Sequence, residues 1–129
     1  MPHICGENMA NIFLDANYWI DAIYRKTTAL PATTQNTLYI SPLSVQIFCY
    51  SYKISVPNTW INEVLNEVRI VDLRRNIFNK ALLGPTSDLE DNIQLHSAVA
   101  ADCDLFLTHV KKLVSLSYFG RMRIAEQIK

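Results

Sequence analysis

The sequence predicts an α/β fold, a three-layer α/β/α sandwich with a mostly parallel central sheet. Three observations predict it. Short strand-like runs recur at 11–15, 38–41, 69–73, 104–108 and 122–124. Segments with helical apolar spacing lie between them. The runs at 11–15 and 104–108 are apolar through their middles, the pattern of strands covered on both faces.

In order along the chain, Asn11–Asp15 is the first strand, and Ala16–Lys26 the helix after it, with Tyr18, Trp19, Ala22 and Ile23 on its inner side. Residues 27–37, TTALPATTQNT, hold no charge and are rich in turn formers, as an exposed connection is. A short strand at Leu38–Ser41 leads to Pro42, which suits the first turn of a helix. That helix, Leu43–Ile54, is apolar on most sides and is expected to be largely buried. Pro57 opens a helix to about Val68, with Trp60, Ile61, Val64, Leu65 and Val68 inward. Arg69–Leu73 alternates like a strand, and Arg74–Leu83 reads as a helix stopped by Gly84–Pro85. Ser87 and Glu90 have capping-box spacing, so a helix is expected from Asp88 to about Asp102. Asp104–Thr108 and Met122–Ile124 are the last strands, with room for a brief C-terminal helix.

A chain of 129 residues, half of them hydrophobic, buries one good core and not two. We therefore expect a single domain over 11–129 behind an N-terminal extension, 1–10, with Met9 just ahead of the first strand. Twelve basic and twelve acidic residues cancel, so no global field draws the chain to nucleic acid or membrane, and any polyanion contact is local. Lys111, Lys112, Arg121, Arg123 and Lys129 form the one basic stretch, which is either a phosphate-facing rim or a solvated surface. The three cysteines, widely spaced, give neither a disulfide framework nor a zinc site. No secretory signal is visible, and no apolar run reaches the roughly 18 residues of a membrane helix. These features lead to the expectation of a cytoplasmic protein with no membrane association.

Ligands of open parallel sheets collect outside the carboxyl ends of the strands. Asp15 and the acidic group at 88–91 both fall at such an end. Each acid has a structural explanation: Asp15 as a helix cap, Glu90 through its spacing from Ser87, and Asp88 through the helix dipole. Asp91 is different, because helical spacing puts it on one stripe with Leu95 and Ala98. A carboxylate on a core-facing stripe needs a partner or a cation. Mg²⁺ or Mn²⁺ suits that place, since hard ions take oxygen ligands and need few protein carboxylates when phosphate supplies the rest. Such an ion activates water and polarises a phosphoryl oxygen.

Four segments, IFLDANYWID (12–21), ISPLSVQIF (40–48), DLEDNIQLHSAVAADCDLFLT (88–108) and MRIAEQI (122–128), together resemble the PIN domain, and within it the VapC-like toxins of bacterial toxin–antitoxin pairs. The resemblance spans nearly all of 11–128. It implies a metal-dependent endoribonuclease that acts on RNA phosphodiesters, forms homodimers and is inhibited by a small antitoxin protein. Carried over by residue, it makes Asp15 and Asp91 the metal-site acids and Thr108 the hydroxyl residue after the fourth strand, with Ser41 at the edge of the second. With Glu90 and Asp88 added as near acids that partly compensate for missing ones, the expected catalytic set is Asp15, Asp91, Glu90 and Thr108, and the expected metal ligands are Asp15, Asp91 and Asp88. Two positions depart from the family pattern. Ile47 stands where a glutamate is usual, and Val110 where an aspartate or asparagine is usual. Loss of carboxylates weakens attraction for the cation, so a weakened enzyme is expected. The alternative is a catalytically inactive PIN-like module for dimerisation or for binding a partner protein or RNA. A third reading is an unrelated α/β domain whose acids are caps.

Other residues have plainer roles. Asp104 lies at the far edge of the sheet and is expected to bridge the preceding turn. His96 sits mid-helix as a packed or surface residue, whereas His109 follows Thr108 at the active edge, within reach of a phosphate. Cys49 and Cys103 lack a basic neighbour in sequence and read as packing. The aromatic residues at helical spacing read as core or interface. With three glycines, no dinucleotide fingerprint or phosphate loop exists.

Overall fold

A computed structural model describes residues 9–128. Six strands form one sheet: β1 Ala10–Leu14, β2 Asn36–Ile40, β3 Arg69–Ile70, β4 Leu105–Leu107, β5 Tyr118–Phe119 and β6 Met122–Ala125. Their spatial order is β3-β2-β1-β4-β6-β5, and every neighbouring pair is parallel except β5/β6. The helices are α1 Ala16–Ile20, α2 Pro42–Ser51, α3 Thr59–Val64, α4 Arg75–Ala81, α5 Leu89–Ala100 and α6 Lys111–Val114. The predicted α/β class and mostly parallel sheet are what the chain adopts.

Alternation along the central strands sorts the core into two halves. Ile12, Leu14, Leu105 and Leu107 face one side, where Tyr18, Trp19, Phe48 and Ile61 from α1, α2 and α3 cover them. Phe13 and Phe106 face the other, with Leu95 and Ala98 of α5 and Leu113 of α6. Phe13 and Phe106 lie side by side in register and stack at 5.3 Å, which stitches β1 to β4.

Chain order makes that seam special. From β1 the sheet grows outward through β2 and β3; the chain then returns to lay β4 on the opposite flank of β1. The strand order reverses there, and it is beyond the carboxyl ends of strands so placed, here β1 and β4, that parallel sheets gather ligands. The far ends of the same strands are closed by Asp104, whose Oδ2 accepts the Asn11 backbone N–H at 2.9 Å. Asp104 is thus structural, but its side chain ties β4 to β1 rather than bridging the preceding turn.

Several boundaries differ from the sequence reading. The first helix is α-helical only to Ile20, then widens into a π-helical turn, Asp21–Arg25, ended by Lys26 in a left-handed conformation (φ 60°). α2 stops at Ser51 and is one-sided rather than largely buried: Ser44 and Phe48 are enclosed, while Tyr50 is 82% exposed, since no further layer covers α2. α3 begins at Thr59 because the Asn58 side chain accepts the Ile61 N–H, and a 3₁₀ turn, Leu65–Glu67, finishes it. Only Arg69–Ile70 of the expected 69–73 strand pairs, at the sheet edge. α6 and β5 were not anticipated: four and two residues are too few to show a period, and the β5/β6 turn relies on Gly120 at φ 63°. No C-terminal helix forms among residues 126–128. β1 starts at Ala10, and the expected extension lies outside the described residues except for Met9 and Ala10. No helix among the described residues is long and apolar enough to cross a membrane.

Candidate active site

Asp15 is the first residue beyond β1, and its backbone is locked from both sides. Its N–H bonds to the Leu107 carbonyl at 3.0 Å, and its own carbonyl accepts the Trp19 N–H at 2.9 Å. The side chain caps α1 through Oδ1, which accepts the Ala16 N–H at 2.9 Å, so the capping role is real. Oδ2 accepts the Thr108 hydroxyl at 2.7 Å. Thr108, just beyond β4, is itself fixed: its N–H reaches the Ala125 carbonyl and its Oγ1 accepts the Val110 N–H, both at 3.0 Å. Two sequence-predicted residues, 93 positions apart, are therefore in direct contact across the β1/β4 seam.

Asp15 is 4% exposed, and no lysine or arginine among the described residues forms an ion pair with it. Burial raises its proton affinity; hydrogen bonds from Thr108 and Ala16, the Gln94 amide and the field of His109 oppose that rise. The acids of α5 share the same negative region. Asp91 is half-buried, and desolvation, then the charges of Asp88, Asp15 and Glu90, push its carboxyl up to about 6 against the pull of Lys112. Glu90 is raised by burial, Asp88 and Asp15. The stripe expected to face the sheet does so, with Leu95 and Ala98 fully enclosed beyond Asp91.

The start of α5 corrects the capping box. Asp88, not Ser87, is the N-cap, and its Oδ1 accepts the Asp91 N–H at 3.0 Å. Thr86 and Asn92 explain why. Asn92 Oδ1 accepts the Thr86 N–H at 2.9 Å, and its amide donates to the Ala81 and Thr86 carbonyls. The Thr86 hydroxyl then takes the Asp88 N–H at 3.1 Å, which sets the chain one residue later than Ser87 would. Glu90 is thereby released from capping and is exposed at the rim.

Gln94 and Ser44 are site residues that sequence reasoning missed. Both are fully buried. The Ser41 hydroxyl donates to Gln94 Oε1, and Gln94 Nε2 donates to Ser44 Oγ at 2.9 Å, so one amide joins the start of α2 to α5 beside Asp15. The available signal was a glutamine three residues beyond Asp91 on an otherwise apolar stripe. Of the two departures from the family pattern, Ile47 packs against the core beneath α1, and Val110 packs on the other side while capping α6.

His109 stacks on Tyr18 at 4.8 Å and touches Thr28, Asp21 and Glu126. His96 is structural, bonded to the Gly84 carbonyl at 2.9 Å with its ring edge-on to Phe119. The Cys103 thiol, pushed up to about 12 by burial and by Asp104 and Asp102, is no nucleophile.

Among the described residues, no three of His, Cys, Asp and Glu converge closely enough to hold an ion on their own. A hard divalent ion that keeps its waters needs only one or two carboxylates. Asp15, enclosed with no lysine or arginine paired to it among the described residues, and Asp91, raised by burial and then by Asp88 and Asp15, have the oxygen donors such an ion takes. A measurable consequence follows from the folded chain holding a proton on Asp91 to about pH 6, against an ordinary 3.8. Between those values the folded state binds more protons than the unfolded one, so stability falls as pH rises and stays low above 6. Asp15 and Glu90 act in the same direction. In EDTA the melting temperature is expected to drop by a few degrees between pH 5 and 7.5. Millimolar Mn²⁺ restores it at pH 7.5 and does little at pH 5; a pH-independent melt contradicts this picture.

No family model matches the chain, and no curated protein matches it. The architecture is that of the PIN-like fold. In the crystal structure of VapBC2 from Rickettsia felis bound to a DNA fragment from their promoter, one chain aligns with a TM-score of 0.62. The alignment covers 89% of this chain and 97% of that one, at 14% identity, a likeness of fold.

Proposed function

We propose that this chain is a metal-dependent endoribonuclease of the PIN/VapC toxin type, acting on RNA phosphodiesters and weakened by its reduced acidic set. The observation that carries the reading is Asp15: a carboxylate enclosed at the carboxyl ends of β1 and β4, without a lysine or arginine partner among the described residues, whose field reaches the half-buried Asp91. Asp15 and Asp91 would hold Mg²⁺ or Mn²⁺, with Asp88 reaching in through the oxygen its cap leaves free. The ion, when bound, supplies activation of water and charge neutralisation at the phosphate. Thr108 keeps Asp15 in one rotamer through Oδ2, and the Ala16 N–H fixes Oδ1, so the carboxylate needs no reorganisation as charge develops. Glu90, at the rim with a raised proton affinity, is placed to take or return a proton near the leaving group. Lys112, whose charge is felt at Asp91, gives the phosphate a cation on that side.

The neighbour's fold belongs to a VapBC2 complex bound to DNA, and that likeness supports an antitoxin partner for this chain; the homodimer and the cytoplasmic setting are proposed from the sequence alone. The second reading, an inactive PIN-like module for dimerisation or for binding a partner or RNA, is favoured by Ile47, an alkyl chain packed into the core where the family has an acid. Incubation of mixed-sequence RNA with the protein in Mn²⁺, Mg²⁺ or EDTA decides between them. Slow cleavage in either metal and none in EDTA is the expected result. Cleavage that emerges only in Ile47→Glu marks a silenced nuclease, and none in either protein removes the enzyme.

A further inference from the structure

A groove of about 800 Å³ is lined by Tyr18, the 27–32 segment, His109 and the residues around Glu126. That volume is in the range of about 300–1,000 Å³ typical of small-ligand sites. It adjoins the site directly, because His109 follows Thr108 and its field is felt at Asp15. The groove is built around the imidazole. Tyr18 covers one face at 4.8 Å. Nε2 lies 3.1 Å from Thr28 Oγ1 and 3.4 Å from Asp21 Oδ2, and Nδ1 is 3.9 Å from Glu126 Oε2. Even so held, the side chain stays 32% exposed, so part of the ring is open to the groove it lines.

Among the described residues no lysine or arginine lines the groove, and the Glu126 carboxylate does, so a phosphate is disfavoured as occupant. Of the nearby cations, Arg25 pairs with Asp21 at 2.6 Å and Lys111 with Glu126 at 3.3 Å. The rest of the lining, threonine hydroxyls, the Gln127 amide, alanine, leucine and proline, is uncharged and suits a flat uncharged ring with a sugar attached. The geometry points to a nucleoside subsite: the groove seats the base and ribose of one RNA nucleotide adjoining the scissile phosphate, with the open face of His109 against the base. The assignment rests on the nuclease reading for the identity of the polymer. His109 is both contact and anchor, since its hydrogen bond to Thr28 ties the 27–32 segment to the ring.

The test is binding of a fluorescent single-stranded oligoribonucleotide by anisotropy, in EDTA so that nothing is cut, with an abasic substitution walked along the strand. One abasic position is expected to cost about tenfold in affinity, the scale of one stacked base. The same position is expected to cost nothing further in His109→Ala, which already lacks the contact. Thr28→Val, which removes only the hydroxyl that anchors the segment, guards against a misfolded alanine variant and is expected to weaken binding severalfold with an unchanged melt. Where cleavage is measurable, Thr28→Val raises KM by a larger factor than it lowers kcat. A flat abasic scan, a penalty that persists undiminished in His109→Ala, or no binding at all overturns the subsite. Cleavage with a flat scan removes the subsite and leaves the nuclease; a position-specific penalty with no cleavage in any metal removes the nuclease and leaves the subsite.

Discussion

Asp15→Asn is expected to reduce metal-dependent RNA cleavage about 100-fold or more, the scale on which a single preorganised electrostatic group acts at a reacting centre. The substitution preserves volume, and the amide oxygen can still accept the Ala16 N–H, so α1 keeps its cap. The amide nitrogen meets the Thr108 hydroxyl, which rotates to accept it. What disappears is a buried carboxylate that no lysine or arginine among the described residues pairs with. The folded variant should therefore melt no lower than wild type in EDTA at pH 7.5, and should lose the stabilisation that Mn²⁺ gives the parent. Loss of cleavage with an intact melt identifies Asp15 as a ligand. Equal cleavage by both proteins removes the enzyme reading, whatever the fold.

Gln94→Leu should be the most damaging substitution at the site that touches no acid. The leucine leaves the Ser41 and Ser44 hydroxyls, both fully buried, without their shared partner. Each stranded hydroxyl costs about 1–3 kcal/mol, so a loss of roughly 2–4 kcal/mol is expected from chemical denaturation. The amide also favours the ionised form of Asp15, so its removal raises that carboxyl further and makes the ion compete harder with a proton. Metal affinity should fall by about 10–100-fold, as it does when groups that orient a ligand are lost. Gln94→Glu separates the two effects. It keeps a hydrogen-bond acceptor for Ser41 but adds a third negative charge, and is expected to destabilise the metal-free chain while binding Mn²⁺ more tightly than the leucine variant. Leucine and wild type with equal melts and equal Mn²⁺ affinity would show that the network is incidental.

Much of this arrangement was readable before any coordinates, because buried parallel strands announce themselves. IFL and LFL are apolar at successive positions and both end on a polar residue, Asp15 and Thr108, at the edge where parallel sheets bind ligands. Asp91 was legible from its place one turn before Leu95. Less legible was anything that depended on competition between local hydrogen bonds. Ser87 with Glu90 fits a capping box as well as any sequence can, yet Asn92 pulls Thr86 into a turn that hands the cap to Asp88. Gln94 and Ser44 were hidden for a related reason, since each looks like an ordinary polar residue until two helices far apart in sequence are laid side by side. The groove around His109 is assembled from four separate segments, Tyr18, 27–32, His109 and 126–128, and no single stretch carries its signature.

The bond between Asp15 and Thr108 joins the beginning of the polypeptide to a strand completed near its end, and Thr108 is in turn held by Ala125. Loosening β6 is therefore expected to unfasten Asp15 as well, because Thr108 can brace the carboxylate only while the Ala125 carbonyl holds its own backbone.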